Sequence, residues 1–108
     1  MKDRPVMNPV EMESRATEAE TFLRSLASRH RLMILCSLLD GEVSVGELGK
    51  RLPLTQSNLS RHLATLREEG LVATRREGTV IHYRIDSPRV RPILQELYRL
   101  FCQPEEPL

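Results

Sequence analysis

The sequence predicts a mostly α-helical single domain with one β-hairpin, in the order α-α-α-α-β-β-α. Three observations predict it. Apolar residues recur at helical spacing up to Glu69, the repeat becomes an alternation from Leu71, and helical spacing returns after Pro88. Two successive helical segments are short and joined by a few residues around Pro53, and the second is polar along one side. A tight helix-turn-helix followed by a hairpin is a winged helix-turn-helix arrangement. The 108 residues leave room for one modest core, which pairing with a second copy would help stabilise.

Each element has its own justification. Residues 1–8 carry charges and prolines without periodicity and are expected to be flexible; the domain proper spans 9–103, and 104–108 form a second flexible end. A first helix is expected over Val10–Leu26, with Met12, Ala16, Ala19, Phe22, Leu23 and Leu26 at helical spacing. Ser28 can cap a second helix that carries Leu32, Leu35, Cys36 and Leu39 on one face and stops near Gly41. Ser44 and Glu47 stand at capping-box spacing and open a short third helix that ends near Leu52-Pro53. Thr55 caps a fourth helix through Glu69, which Gly70 closes. Leu71–Glu77 and Val80–Ile85 form the hairpin arms about Gly78-Thr79. Ser87-Pro88 starts the last helix, with Val90, Ile93, Leu94, Leu97, Tyr98 and Phe101 apolar, running to about Cys102 before Pro104.

Composition excludes several functions. Aromatic residues make up only 4% of the chain, too few for single-strand binding by base stacking. No apolar run approaches the roughly 20 residues of a membrane span, and MKDRPVMNPVEMES lacks the apolar stretch of a secretory leader, so a cytoplasmic protein is expected. In that reducing compartment a permanent disulfide is not expected, so Cys36 and Cys102 are either buried free thiols or a switchable pair. Net charge is only +1, but residues 50–91 hold nine Lys/Arg against four Asp/Glu, while the remainder is net negative. A basic segment in a near-neutral chain is the footprint of a DNA-reading module.

The fourth helix supplies the reading face. Leu59, Leu63 and Leu66 share one stripe and must turn inward. The opposite side presents Ser57 and Arg61, flanked by Gln56 and Ser60 on one edge and Asn58 and Thr65 on the other. Arg can bond guanine, Gln or Asn adenine, and Ser either, in the major groove of double-stranded DNA. Arg75, Arg76 and Arg84, with Thr79 at the tip, give the hairpin groups for phosphates or an adjacent minor groove. A solvated polar helix face and a hairpin whose charges only prevent aggregation are the bland readings of the same residues. His62, at the fringe of the leucine stripe, is read as a partly buried, hydrogen-bonded structural histidine rather than a base reader.

The run LTQSNLSRHLATLREEGLVATRREGTVIHYRI, Leu54 to Ile85, with SRHRLMILCSLLDGEVSVGEL upstream, resembles the arsenic-repressor (ArsR) family of winged-helix regulators. The resemblance implies a repressor, not an enzyme, that forms a homodimer through its first and last helices and reads an inverted repeat in its operator. The last helix is apolar more broadly than one packed face needs, which agrees. Two-fold symmetry would set two reading helices about one DNA turn apart.

Many members of that family sense metals, and the residues here argue against it. One branch opens the third helix with two cysteines around a valine, where this chain has Ser44-Val45-Gly46. Another binds zinc through histidines and carboxylates of the last helix, which here lacks histidine and holds only Glu96 besides Asp86. A zinc site needs about four N, O or S ligands, so neither a metal nor a cofactor is expected. Cys36 in RLMILCSLLDGEVSVGEL and Cys102 in ELYRLFC resemble instead the dithiol branch, the BigR/SqrR/HlyU-like sulfide and persulfide sensors. That likeness implies operator release when reactive sulfur species join Cys36 and Cys102 in a disulfide or polysulfide bridge. On residue chemistry alone the thiols remain open to an inert reading, since both sit at apolar spacing and a helix C-terminus disfavours a thiolate. A small thiol enzyme would need a base near a cysteine, and no histidine adjoins either one. A winged helix that docks a protein and never touches DNA is the remaining class.

Overall fold

The computed structural model describes residues 8–102, and the elements follow the expected order. They are α1 (Pro9–Leu26), α2 (Arg29–Ser37), β1 (Val43–Ser44), α3 (Val45–Arg51), α4 (Gln56–Glu68), β2 (Val72–Glu77), β3 (Val80–Ile85) and α5 (Val90–Phe101). Of the two ends expected to be flexible, only Asn8 lies among the described residues. It is the N-cap of α1: its side-chain oxygen accepts from the Glu11 N–H at 2.8 Å, and Pro9 fills the first turn, where no intrahelical donor is needed. No helix among the described residues is long and apolar enough to cross a membrane.

The caps explain the boundaries. Ser28, Ser44 and Thr55 each accept from the backbone N–H three residues on, at 3.3, 3.1 and 3.1 Å, and open α2, α3 and α4. Helix α4 closes in a Schellman motif: Gly70 adopts φ +77°, its N–H bonds the Arg67 carbonyl at 3.0 Å, and the Leu71 N–H bonds the Leu66 carbonyl at 2.9 Å. Leu66 and Leu71 are both buried, the apolar contact that accompanies this cap. Helix α5 begins two residues later than expected. Ser87 and Pro88 form a turn, in which the Ser87 hydroxyl accepts from the Arg89 N–H at 3.2 Å and the Ser87 carbonyl from the Val90 N–H at 3.3 Å.

One strand was not foreseen. Val43 and Ser44 pair with Tyr83 and His82, so the hairpin becomes a three-stranded antiparallel sheet in the order β1-β3-β2. Two residues are too few to show an alternation, and the same Ser44 gives the helix-capping signal. The hairpin itself turns over Gly78-Thr79, with Gly78 at φ +64° and no non-glycine residue at positive φ among those described, as a type II′ turn requires.

The core gathers residues from every helix and from the sheet. Leu59, Leu63 and Leu66 of α4 are buried as expected, against Ile34 and Leu35 of α2 and its C-cap Leu38, Leu48 of α3, Val43, Val72, and Val90 and Leu94 of α5. Helix α2 differs from its expected phase. Its buried stripe is Ile34/Leu35/Leu38, whereas Leu32 and Leu39 are only partly covered and Cys36 is exposed. Residues 32–36 are all apolar, so spacing alone does not choose which side faces in. Helix α1 buries only its C-terminal end, and Met12 and Leu23 stay exposed.

Truncating the α4 stripe should be costly. Leu63→Ala is expected to destabilise the protein by about 2–5 kcal/mol, because the side chain is fully enclosed and leaves a cavity. Ser57→Ala, on the exposed side of the same helix, should stay within about 0.5 kcal/mol. Urea unfolding at one fixed protein concentration compares them.

Candidate nucleic-acid interface

Burying Leu59, Leu63 and Leu66 leaves α4 only one way to face. Gln56, Ser57, Ser60 and Arg61 are exposed, and Asn58 and Thr65 are half-buried at the edges of that face. Three of these side chains are already engaged. The Asn58 side-chain oxygen accepts from the Arg61 guanidinium one turn on, which steers it along the helix. Thr65 donates its hydroxyl to the Arg61 carbonyl at 3.1 Å, so it offers a partner only its acceptor capacity.

The strand register divides the wing arginines. Arg75 stands opposite His82 and Arg84 opposite Ala73 on one sheet face. Arg76 stands opposite Ile81 on the other face, which also carries Tyr83. Ile81 and Tyr83 join Gln56, Ser60 and Arg67 in lining a groove of about 620 Å³, so Arg76 lies on the sheet face turned toward α4. Thr79 is exposed at the tip, and Arg84 is exposed on the far face. Arg67 was overlooked in the sequence, although its spacing from Gln56 and Ser60 keeps it on the same side of the helix.

Arg75 is not the free phosphate donor its sequence position suggests. Its Nε lies 3.1 Å from both carboxylate oxygens of Glu42 and its Nη2 2.9 Å from one, with Glu77 at 3.6 Å. The fork geometry holds the Glu42 carboxyl below its usual pKa, chiefly through the hydrogen bonds from Arg75; Arg75, His82 and Arg84 also add favourable charge. This pair ties the wing to the segment after α2, across 33 positions of sequence that only the folded sheet brings together.

His62 is half-buried, and its Nδ1 accepts from Arg31 Nε at 3.4 Å. Its ring meets that of His30 edge-on at 5.8 Å. Desolvation, then the charges of Arg31, His30 and Arg61, hold its pKa below the ordinary imidazole value. The neutral ring is therefore the form that accepts from Arg31.

The two thiols are both exposed in the single chain, whereas the spacing of Leu32, Leu35 and Leu39 predicts Cys36 on a core-facing stripe of α2. Cys36, Leu39, Asp40, Gln95 and Tyr98 line a groove of about 430 Å³ between α2 and α5. Partial burial, then the charge of the Cys102 thiolate, push the Cys36 pKa up. The Cys102 sulfur is thus near enough for its charge to be felt at Cys36. Arg99, one turn before Cys102, gives its guanidinium to Glu96 instead, with Nε at 3.2 Å from both carboxylate oxygens. Among the described residues no three His, Cys, Asp or Glu side chains gather as a metal site would require.

Residues 28–74, from the α2 cap into the wing, match the family model described as bacterial regulatory protein, arsR family. Over 97 residues the chain is 50% identical to the transcriptional activator HlyU of Vibrio cholerae, covering 90% of each protein. The chain belongs to the arsR family. Its match to the biofilm growth-associated repressor of Agrobacterium fabrum is 47% identical over 97 residues, covering 90% of this chain and 83% of that protein. In three dimensions it resembles reduced HlyU from Vibrio cholerae (TM-score 0.82, 49% identity, 86% of this chain and 98% of that one). It likewise resembles the transcriptional repressor BigR from Xylella fastidiosa (TM-score 0.80, 39% identity, 94% and 100%). This arsR-family chain is accordingly a winged-helix, DNA-binding transcriptional regulator and not an enzyme.

The wing geometry separates two neighbouring arginines experimentally. Arg76→Ala should weaken binding to any duplex and lower the slope of log affinity against log salt by about 1, as loss of one phosphate contact does. Arg75→Ala should leave that slope unchanged, since Glu42 already neutralises the guanidinium. Fluorescence anisotropy over a salt series distinguishes them.

Proposed function

We propose that this regulator is a homodimeric repressor, holding an inverted repeat of double-stranded operator DNA while Cys36 and Cys102 are reduced. Reactive sulfur species are its inducer. The observation that carries the reading is the placement of the two thiols: Cys36 is exposed in the groove between α2 and α5, and Cys102, also exposed, caps the end of α5 close enough for its charge to add to the burial that raises the Cys36 pKa. A pair of inert core cysteines would be enclosed and indifferent to each other.

Gln56, Ser57, Asn58, Ser60, Arg61 and Thr65 would read base edges, with Arg76, Thr79 and Arg84 against the backbone. A second copy accounts for the apolar surface that the single chain leaves bare. Val10, Met12 and Leu23 of α1 and Tyr98, Leu100 and Phe101 of α5 are all more than half exposed, Val10 and Phe101 at 79% and 80%. Covering these residues symmetrically makes a two-fold dimer, and a two-fold dimer reads two half-sites.

The chemistry balances with a persulfide or inorganic polysulfide as oxidant. A cysteine thiolate attacks the terminal sulfur of RS–SH, forming protein S–SH and releasing RS⁻. If the second cysteine then attacks the sulfur bonded to the first, a disulfide forms and HS⁻ leaves. If both cysteines carry S–SH, their reaction leaves a trisulfide bridge and releases H₂S. A direct disulfide needs Cα atoms about 4.4–6.8 Å apart, and each inserted sulfur relaxes that limit. Either bridge pins the end of α5 to α2, which biases the dimer between two arrangements.

A gel shift with the duplex upstream of the chain's own gene tests this. Inorganic polysulfide should abolish binding by the native protein, while Cys36→Ser and Cys102→Ser should bind and remain bound. Release of both single variants as readily as the parent would contradict the thiol mechanism.

A further inference from the structure

We infer that Arg31 is a positioning residue for sequence reading: acting through His62, it fixes the rotation of the recognition helix α4 about its own axis. This rests on α4 being the helix that reads DNA.

Arg31 stands in the first turns of α2, away from the reading face, and its side chain is only 21% exposed. Three contacts converge on it. Nε donates to His62 Nδ1 at 3.4 Å, Nη1 donates to the Ser25 carbonyl in the last turn of α1 at 3.2 Å, and Nη1 lies 3.9 Å from the Glu69 carboxylate. His62 and Glu69 are seven residues apart, so on an α-helix they fall within about 20° of one line along its surface. One guanidinium therefore hydrogen-bonds α4 at His62, lies within ion-pair distance of its C-cap Glu69 two turns on, and refers both to the end of α1. The cation also sits where the carbonyl ends of α1 and α4 favour positive charge.

The leucine stripe does not supply this constraint. Apolar burial holds Leu59, Leu63 and Leu66 inward but is non-directional, and it tolerates a small roll of the helix. A hydrogen bond does not. With side-chain tips about 5–6 Å from the helix axis, a 20° roll moves them by about 2 Å. That displacement breaks a base contact held to hydrogen-bond distance, while a phosphate contact from a long flexible side chain follows. Losing Arg31 should thus damage discrimination between sequences more than affinity for DNA in general. The bond also requires His62 to accept at Nδ1, the neutral form its surroundings favour.

The test uses the full chain and two probes: the duplex that the native protein enriches from a random pool, and a scrambled duplex of equal length and composition. The measured quantity is the ratio of the two affinities, taken on the active fraction so that unfolded protein does not enter. Arg31→Met and His62→Ala should each lower that ratio about tenfold or more, with the affinity for the scrambled duplex and its salt slope nearly unchanged. The double variant should lose no more than Arg31→Met alone, because His62 acts only through Arg31. His62→Gln, whose amide oxygen can still accept from Nε, should recover most of the discrimination. Should Arg31→Met fail to fold, the His62 pair carries the same test. An unchanged ratio in His62→Ala, losses that add in the double variant, or His62→Gln as defective as His62→Ala would each overturn the assignment. Failure of the native protein to enrich any sequence would instead overturn the DNA-reading role on which it rests.

Discussion

The burial of three leucines, Leu59, Leu63 and Leu66, is the constraint from which the rest of the molecule follows. They occupy one side of a thirteen-residue helix, and enclosing them against α2, α3 and the sheet leaves the other side with nowhere to go but outward. The side chains that emerge are amide, hydroxyl and guanidinium groups, small or directional, suited to the edges of base pairs. Core and candidate interface are thus two faces of one helix. A substitution that loosens the core loosens the candidate reading surface with it.

Around that helix, polar contacts give direction to what apolar packing only holds together. Glu42 grips Arg75 with two oxygens and ties the wing to the segment after α2. Arg31 ties α4 to the end of α1. Arg91 donates to the Leu39 carbonyl and ties the start of α5 to the end of α2. The thiol groove lies beside this last contact, since Leu39 lines it together with Cys36. The segment from Cys36 to Glu42 therefore borders the groove at one end and carries the wing's carboxylate at the other. The bridge proposed there would act on a part of the chain that already touches the wing.

Much of this was legible in the sequence, and the gaps have physical causes. The caps of α2, α3 and α4, the leucine stripe and both long strands could be read because each depends on residues within a few positions of one another. Asn8-Pro9 carried an equally local signal for the start of α1 and was overlooked. The phase of α2 was not legible, because five successive apolar residues satisfy several phases and only tertiary packing selects Ile34, Leu35 and Leu38. Strand β1 was hidden behind the capping role of Ser44. The roles of Arg75 and Arg31 depend on partners 33 and 31 residues away, which no local pattern announces. For the candidate site, charge and spacing pointed to α4 and the hairpin, and the sheet register was needed to separate Arg76 from Arg75.

The most direct examination of the reading surface is an amide chemical-shift titration of the reduced protein with a duplex it selects. The largest changes should fall on Gln56–Arg61 and on the wing around Arg76–Thr79, with the α2–α5 groove near Cys36 little affected. Perturbations centred on that groove, with residues 56–61 unmoved, would contradict the placement of α4 in the DNA.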